Sequence, residues 1–244
     1  MSRLAASVPD ASSLLCEQCG YVLDGLPVDS RCPECGSFIR DSLPEHRHLS
    51  AWESAGRPIE KLAAFFTTTG LVLLRPAHFF RHLSARASST SARSFAFIHW
   101  LLAAAIIGRA ASIHGEWLLD YRDYGVLRGG LLTAGALLLM WVTTRLAARL
   151  THWEASYRGL RLPMPVVLRA LYFHSAHYLP VALVVLGTVV GFHYTFDHFP
   201  FDITGLYWFL KMYHYVLCGE VVVGAVYLFQ TYWIGMRNMM YANG

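Results

Sequence analysis

The sequence predicts an all-α membrane protein: a four-helix transmembrane bundle preceded by a small β-rich metal-binding module and an interfacial amphipathic helix. Three observations lead there. The segment 166–192, VVLRALYFHSAHYLPVALVVLGTVVGF, would form a helix about 40 Å long, enough to cross a hydrocarbon core of about 30 Å with some tilt. Charged residues make up 15% of the chain and hydrophobic residues 55%, with a mean hydropathy of +0.38, whereas soluble domains carry about 25% charged residues. Four of the five cysteines fall in one short segment as two C-x-x-C pairs.

Taken in order, residues 1–14 hold no apolar core that could serve as a signal peptide and are expected to be a disordered cytosolic tail. Residues 15–40 contain Cys16-Glu-Gln-Cys19-Gly20 and Cys32-Pro33-Glu-Cys35-Gly36. Two such pairs, each followed by glycine, can form tight knuckles whose thiolates meet at one tetrahedral ion. Each glycine would let a backbone amide approach a sulfur, and Pro33 would pre-set the second turn. Two disulfides or four independent thiols are the other arrangement, and nothing indicates export to an oxidising compartment. Because all four ligands are thiolates, no coordination position stays open and the ion is expected to be structural. It would stand in for a core, since residues 15–39 offer only Leu15, Tyr21, Val22, Leu23, Leu26, Val28, Phe38 and Ile39 for apolar packing.

CxxCGY and CPxCG resemble rubredoxin knuckles, which would imply iron, but the loop between them is short for a rubredoxin and zinc is the expected ion. The whole pattern LLCEQCGYVLDGLPVDSRCPECG resembles the small zinc ribbons at the N-termini of many bacterial proteins, some of them membrane proteins. That resemblance implies a fold and a structural Zn2+ rather than an activity.

Residues 41–57 read as a polar linker in which His46 and His48 are solvated. Residues 58–94 begin as the amphipathic stretch PIEKLAAFFTTTGLVLLRPAHFFRHL. Its apolar run at 62–74 is too short to span and is flanked by Lys61, Arg75 and Arg81, so a helix lying in the interface is expected, kinked or restarted at Pro76. The stretch SARASSTSARS then forms a flexible basic approach to the bundle.

The bundle is expected over 95–236, with spans at about 95–119, 129–148, 166–192 and 206–236, and a cytosolic tail at 237–244. Trp100, Trp117, Trp208 and Trp233 mark span ends. Basic residues precede the first span and Arg149, Arg158 and Arg161 follow the second, while 193–205 has no Lys or Arg and carries Asp197 and Asp202. The positive-inside rule puts both termini in the cytosol and the protein in the cytoplasmic (inner) membrane. The formal net charge of +4 is explained by this asymmetry.

The run Leu74-Arg-Pro76-Ala-His-Phe79-Phe80-Arg-His-Leu83 is similar to the P-x-x-F-x-x-L opening of Yip1-domain membrane proteins. Residues 167–192, around Pro180 and Gly187, resemble the third-span region of that family, which usually has five spans where four are read here. The resemblance implies a small multi-spanning domain that works through partner binding.

Polar groups inside spans are costly unless paired or hydrated. Arg109 and Glu220 lie near the middles of the first and fourth spans and are expected to meet; Arg169 and Lys211 lie nearer span ends and are expected to snorkel. His174 and His177, with His214, His99 and His114, could bind haem or a metal or relay protons with Glu220, but interhelical hydrogen bonding is the expected role. His193, Asp197, His198 and Asp202 read as a solvated turn. Gly187 and Gly191 allow close helix approach, within the bundle or across a homo-oligomer, and Cys218 reads as a small apolar residue.

The functional expectation is a non-enzymatic membrane adaptor, in contact with the lipid bilayer, whose zinc ribbon on Cys16, Cys19, Cys32 and Cys35 presents a surface to a protein partner. The alternative is a transporter or membrane metalloenzyme using His174, His177, His214 and Glu220. Nucleic acid is not an expected partner, because 15–39 offers only Arg31 as a base. No phosphate-cradling loop, serine nucleophile motif or dinucleotide fingerprint occurs.

Overall fold

The computed structural model describes residues 10, 13–85, 87–119 and 125–243, with 116–119, 125 and 126 described by their backbone alone. The expected tail at 1–14 therefore lies mostly outside the described residues, as does the Trp117 ring. In chain order the helices are α1 (Ala51–Ser54), α2 (Pro58–Leu74), α3 (Pro76–His82), α4 (Ser89–Leu119), α5 (Gly125–Tyr157), α6 (Met164–His174), α7 (Tyr178–His198) and α8 (Ile203–Met239). Four stretches, Ser89–Gly115, Leu127–Tyr157, Met164–His198 and Ile203–Met239, are long and apolar enough to cross a membrane. Extended pairing among the described residues is limited to isolated bridges, Leu15 with Val22, Arg31 with Phe38 and His48 with Leu83. The β-rich character expected of the N-terminal module is therefore not reached: each bridge closes one knuckle turn, and its pairing runs outward only as far as Leu23 N–H to Leu14 O and Ile39 N–H to Ser30 O.

The chain divides into two compact units. One comprises the described residues of Met1–Ala96, Thr143–His174 and Thr231–Gly244, the other Phe97–Val142 and Ser175–Gln230. Helices α4, α5 and α8 each run from one unit into the other, and the passage from α6 to α7 changes over at a 3-10 turn, Ser175–His177. The cysteine module, the loop after α5 and the residues after α8 all belong to the first unit.

In that unit Ser50 caps α1 with a reciprocal box: its hydroxyl accepts from Glu53 N–H and the Glu53 carboxylate accepts from Ser50 N–H. Trp52 is held by two bonds, its backbone N–H to Thr68 Oγ1 at 3.1 Å and its indole N–H to Ser91 O at 2.8 Å. Helix α2 buries Ala64, Thr68 and Val72, one stripe at four-residue spacing, and exposes Ile59, Leu62, Phe66 and Leu74. Pro76 ends α2, because it has no N–H to donate, and opens α3 at its first position, where none is needed. Phe79 and Phe95 both pack on Phe173 with ring centroids 5.2 Å apart, and Trp52 and Phe65 extend that aromatic core.

Arg169 does not snorkel. Its Nε and Nη2 donate to the two Glu53 oxygens at 2.8 and 2.7 Å, Nη1 donates to Ser84 O, and the two side chains are 1% and 4% exposed. The reason lies at Pro180. The expected continuous helix over 166–192 is broken into α6, the 3-10 turn and α7, because Pro180 removes a hydrogen bond to Ala176 and its ring crowds that carbonyl. Residues 164–174 then belong to the first unit, and the 21-residue α7, about 32 Å long, is enough to cross a bilayer alone.

The other long helices overrun the expected spans. At 31, 33 and 37 residues, α4, α5 and α8 are about 46, 50 and 56 Å long. Their helical backbone continues past the apolar stretch into polar sequence such as RLTHWEASY at the end of α5. In the second unit, Leu131, Leu138, Leu139, Leu183, Val190, Val222 and Phe229 are exposed, which is the surface a bilayer covers.

The buried pair sets a measurable stability. Glu53→Ala or Arg169→Ala, each leaving one charge buried alone, should destabilise the first unit by about 3–5 kcal/mol, while Glu53→Leu with Arg169→Met should cost less than either. Thermal unfolding of the purified chain in detergent checks the order.

Candidate metal centre

The two cysteine knuckles repeat each other residue for residue. In the first, Cys16 N–H donates to Tyr21 O at 2.8 Å and Gly20 N–H to Cys16 O at 2.7 Å; in the second, Cys32 N–H donates to Ser37 O at 2.8 Å and Gly36 N–H to Cys32 O at 2.9 Å. Gly20 and Gly36 have φ of 80° and 73°, a left-handed conformation that a Cβ penalises. The glycines' own amides close the turn onto a carbonyl, and their left-handed backbone lets the next amide approach a sulfur, Tyr21 N–H to Cys19 and Ser37 N–H to Cys35, with the Gln18 and Cys19 amides turned to Cys16.

This backbone brings all four sulfurs within 4.8 Å of one another, with Cys16 Sγ 3.5 Å from Cys35 Sγ and Cys19 Sγ 3.7 Å from Cys32 Sγ. A disulfide would need about 2.05 Å. Tetrahedral zinc–thiolate bonds of about 2.3 Å put neighbouring sulfurs about 3.8 Å apart, so the cluster fits a single ion. Its chemistry asks for one as well. Burial raises the Cys16 thiol and pushes Cys19 up to about 12, while the Ser37 hydroxyl and then its backbone N–H bring Cys35 down to about 6. Close-set, partly desolvated thiols of this kind become thiolates together only around a cation.

The apolar support is small. Cys16, Leu23, Cys32 and Ile39 form the buried cluster, with Leu14, Cys19 and Leu26 packed against it. Of the other candidate core residues, Tyr21, Val22 and Val28 are exposed.

Three residues that the sequence reading assigned to linker, loop and tail hold the module in place. Arg47 donates to both Glu17 oxygens at 2.6 and 2.9 Å, to Leu83 O at 2.8 Å and to Asn238 O at 3.0 Å. Asn243 is buried; its side chain accepts from Leu15 N–H at 2.9 Å and donates to Leu15 O at 2.6 Å and Ser42 O at 2.7 Å. Arg161 donates to Ser13 O at 2.7 Å and to Asn243 Oδ1 at 2.8 Å. No periodicity or spacing marks these residues. Their one signal is the company of Arg47 and Arg161 with chain segments too short to bury themselves. His46 and His48 are exposed, outside the sulfur cluster.

The intramembrane candidates do not assemble into a metal-holding group, although the His114 and His214 rings meet edge to face with centroids 6.3 Å apart. Among the described residues the four cysteines form the one group of three or more His, Cys, Asp or Glu arranged to hold a metal. His174 Nε2 hydrogen-bonds with Thr231 Oγ1 at 2.9 Å, His177 Nδ1 with Tyr227 OH at 2.7 Å, and His114 Nδ1 with Tyr213 OH at 2.7 Å, while His214 Nδ1 lies 2.8 Å from Leu210 O one turn back on its own helix. The expected Arg109–Glu220 pair is absent among the described residues. Arg109 is exposed on the outer face of α4, and Glu220 Oε1 accepts instead from Thr188 Oγ1. The solvated turn expected at 193–202 is only partly a turn: His193, Asp197 and His198 lie on the last turns of α7, His193 approaching Asp197 at 3.4 Å, and Asp202 accepts from Gly205 N–H at 2.7 Å. An added Cβ at Gly187 or Gly191 meets nothing within 4 Å, so no close helix approach among the described residues depends on their lacking a side chain.

Comparison with models of known families, with curated proteins and with solved structures finds no match for this chain.

The knuckle geometry predicts unequal glycine substitutions. Gly36→Ala should cost about 1 kcal/mol or more through its φ alone, and Gly20→Ala more, because its Cβ would come within 2.5 Å of the Tyr241 ring. Chelator competition for the bound metal, read for both variants, checks the ranking.

Proposed function

We propose that this chain is a non-enzymatic protein of the cytoplasmic membrane whose cytosolic cysteine module is a structural zinc site, and that it acts as an adaptor presenting that module to a soluble protein partner. The observation that carries this reading is the closed thiolate set, fastened by Arg47, Arg161 and Asn243 to segments of its own unit. Four thiolates leave no position for substrate or water, so the ion's contribution is to folding. A module fixed at so many points offers a rigid face, and Tyr21, Val22 and Val28 leave apolar area exposed on it. The cytosolic side follows from the basic residues at 149, 158 and 161 and from the need for a reducing compartment. The resemblance of residues 74–83 and 167–192 to Yip1-domain proteins favours partner binding as the mode of action.

The full chain purified in detergent should carry about one zinc per chain, lost when Cys16 and Cys32 are both changed to Ser. Tyr21→Ser with Val28→Ser should keep the zinc and lose the co-purifying protein. Iron in place of zinc would overturn the metal assignment. A wild-type chain that brings down no protein from cells would remove the adaptor role.

A further inference from the structure

Residues 241–243 follow the last turn of α8 and lie against the cysteine module, inside the first unit. Asn243 grips the chain on both sides of Cys16. Its side chain accepts from Leu15 N–H at 2.9 Å and donates to Leu15 O at 2.6 Å, and its backbone N–H donates to Glu17 Oε1 at 3.2 Å. The same side-chain amide donates to Ser42 O at 2.7 Å, beyond the second knuckle. Tyr241 lays its ring on the turn of the first knuckle, so closely that a Cβ on Gly20 would come within 2.5 Å of it.

We propose that the cysteine module is a metal-operated latch: the bound ion holds residues 241–243 on the module, and loss of the ion frees them while α8 stays helical to its last turn. The latch rests on the reading of Cys16, Cys19, Cys32 and Cys35 as a structural metal site, and it makes the position of this segment a report of whether that site is filled.

The residues that receive Asn243 are set in place by the closed knuckles. Leu15 is bridged to Val22 across the first, and Glu17 N–H is held by Ser42 Oγ at 3.1 Å. Beneath them lies only the small cluster of Cys16, Leu23, Cys32 and Ile39, too little apolar area to keep the module folded alone. Four sulfurs this close are not all thiolates without a cation between them. When the ion leaves, the knuckles open and the partners of Asn243 move. Its side chain is then unmatched at a site where it is 2% exposed, and water is the better environment for it. Arg161, which also donates to Asn243 Oδ1 at 2.8 Å, is half-buried and follows the segment outward.

Release stops at the helix. Arg47 loses Glu17 but keeps Asn238 O at 3.0 Å and Leu83 O at 2.8 Å, and Met239 is fully buried. None of these contacts involves a cysteine. Linkage makes the latch reciprocal: as the ion favours the docked segment, so the docked segment favours the ion.

The test is hydrogen–deuterium exchange of the full chain in detergent, loaded with zinc, stripped by a chelator and reloaded, with metal content measured in each state. Amides at 241–243 should exchange about tenfold faster or more in the stripped chain. Those at 231–238 should be unchanged, and added zinc should restore the protection. Asn243→Ala, which keeps all four cysteines, should weaken zinc binding about fivefold or more in chelator competition. The wild-type exchange comparison stands whether or not that variant folds. Protection at 241–243 that survives complete loss of the metal, exchange that spreads through 231–238, or a folded Asn243→Ala chain that holds zinc as tightly as the wild type would each overturn the latch and leave the metal site standing. A full chain that binds no metal would overturn both.

Discussion

A guanidinium carries five N–H donors in a rigid fork and cannot shed its charge. Buried at Arg47, that group organises the first unit, because each donor must find an acceptor and those available come from distant parts of the chain: Glu17 between the first two cysteines, Phe80 O and Leu83 O around the end of α3, and Asn238 O in the last turn of α8. The carbonyls at helix ends have no partner inside their own helices, so the arginine answers their need while they answer its own. Removing either side strands a charge or a carbonyl in the interior. The placement of the metal module therefore rests on a residue about a dozen positions past the last cysteine, in what reads as a featureless linker.

What could be read from residue order alone was whatever depends on local spacing or bulk solvent preference. The four cysteines were legible because two C-x-x-C turns with a following glycine bring their sulfurs together through local backbone, and the spans were legible because lipid rewards long apolar runs. Depth along a helix was also legible, but rotation about its axis was not. Arg109 and Glu220 were matched by depth, and the first faces outward while the second turns to Thr188. Arg169 shows a second limit. Hydropathy ran without a gap through 166–192, so the change at Pro180 from a helix packed in protein to one able to cross lipid left no trace in composition. Helix ends were missed for a related reason, since α5 continues through Arg149 and His152 although the solvent it favours has changed.

The intramembrane histidines follow the same economy of polar groups. Away from water an imidazole needs a near neighbour with a hydroxyl or carbonyl, and Thr231, Tyr227 and Tyr213 supply hydroxyls to His174, His177 and His114. Each of these rings is tethered by its own neighbour, and the contact between two of the candidate histidines, His114 and His214, is ring packing with centroids 6.3 Å apart. Glu220 is tethered in the same way, its Oε1 accepting from Thr188 Oγ1.

The two knuckles share a backbone but not an environment. Cys16 and Cys32 lie beneath the small core, Cys19 is half covered, and Cys35 faces outward beside Ser37. An ion held by this set has one thin wall, and a competing thiol or chelator must approach through it, displacing the outward sulfur before it can touch the other three. Exchange of an ion held there would accordingly begin at Cys35, the one ligand the chain leaves open to solvent.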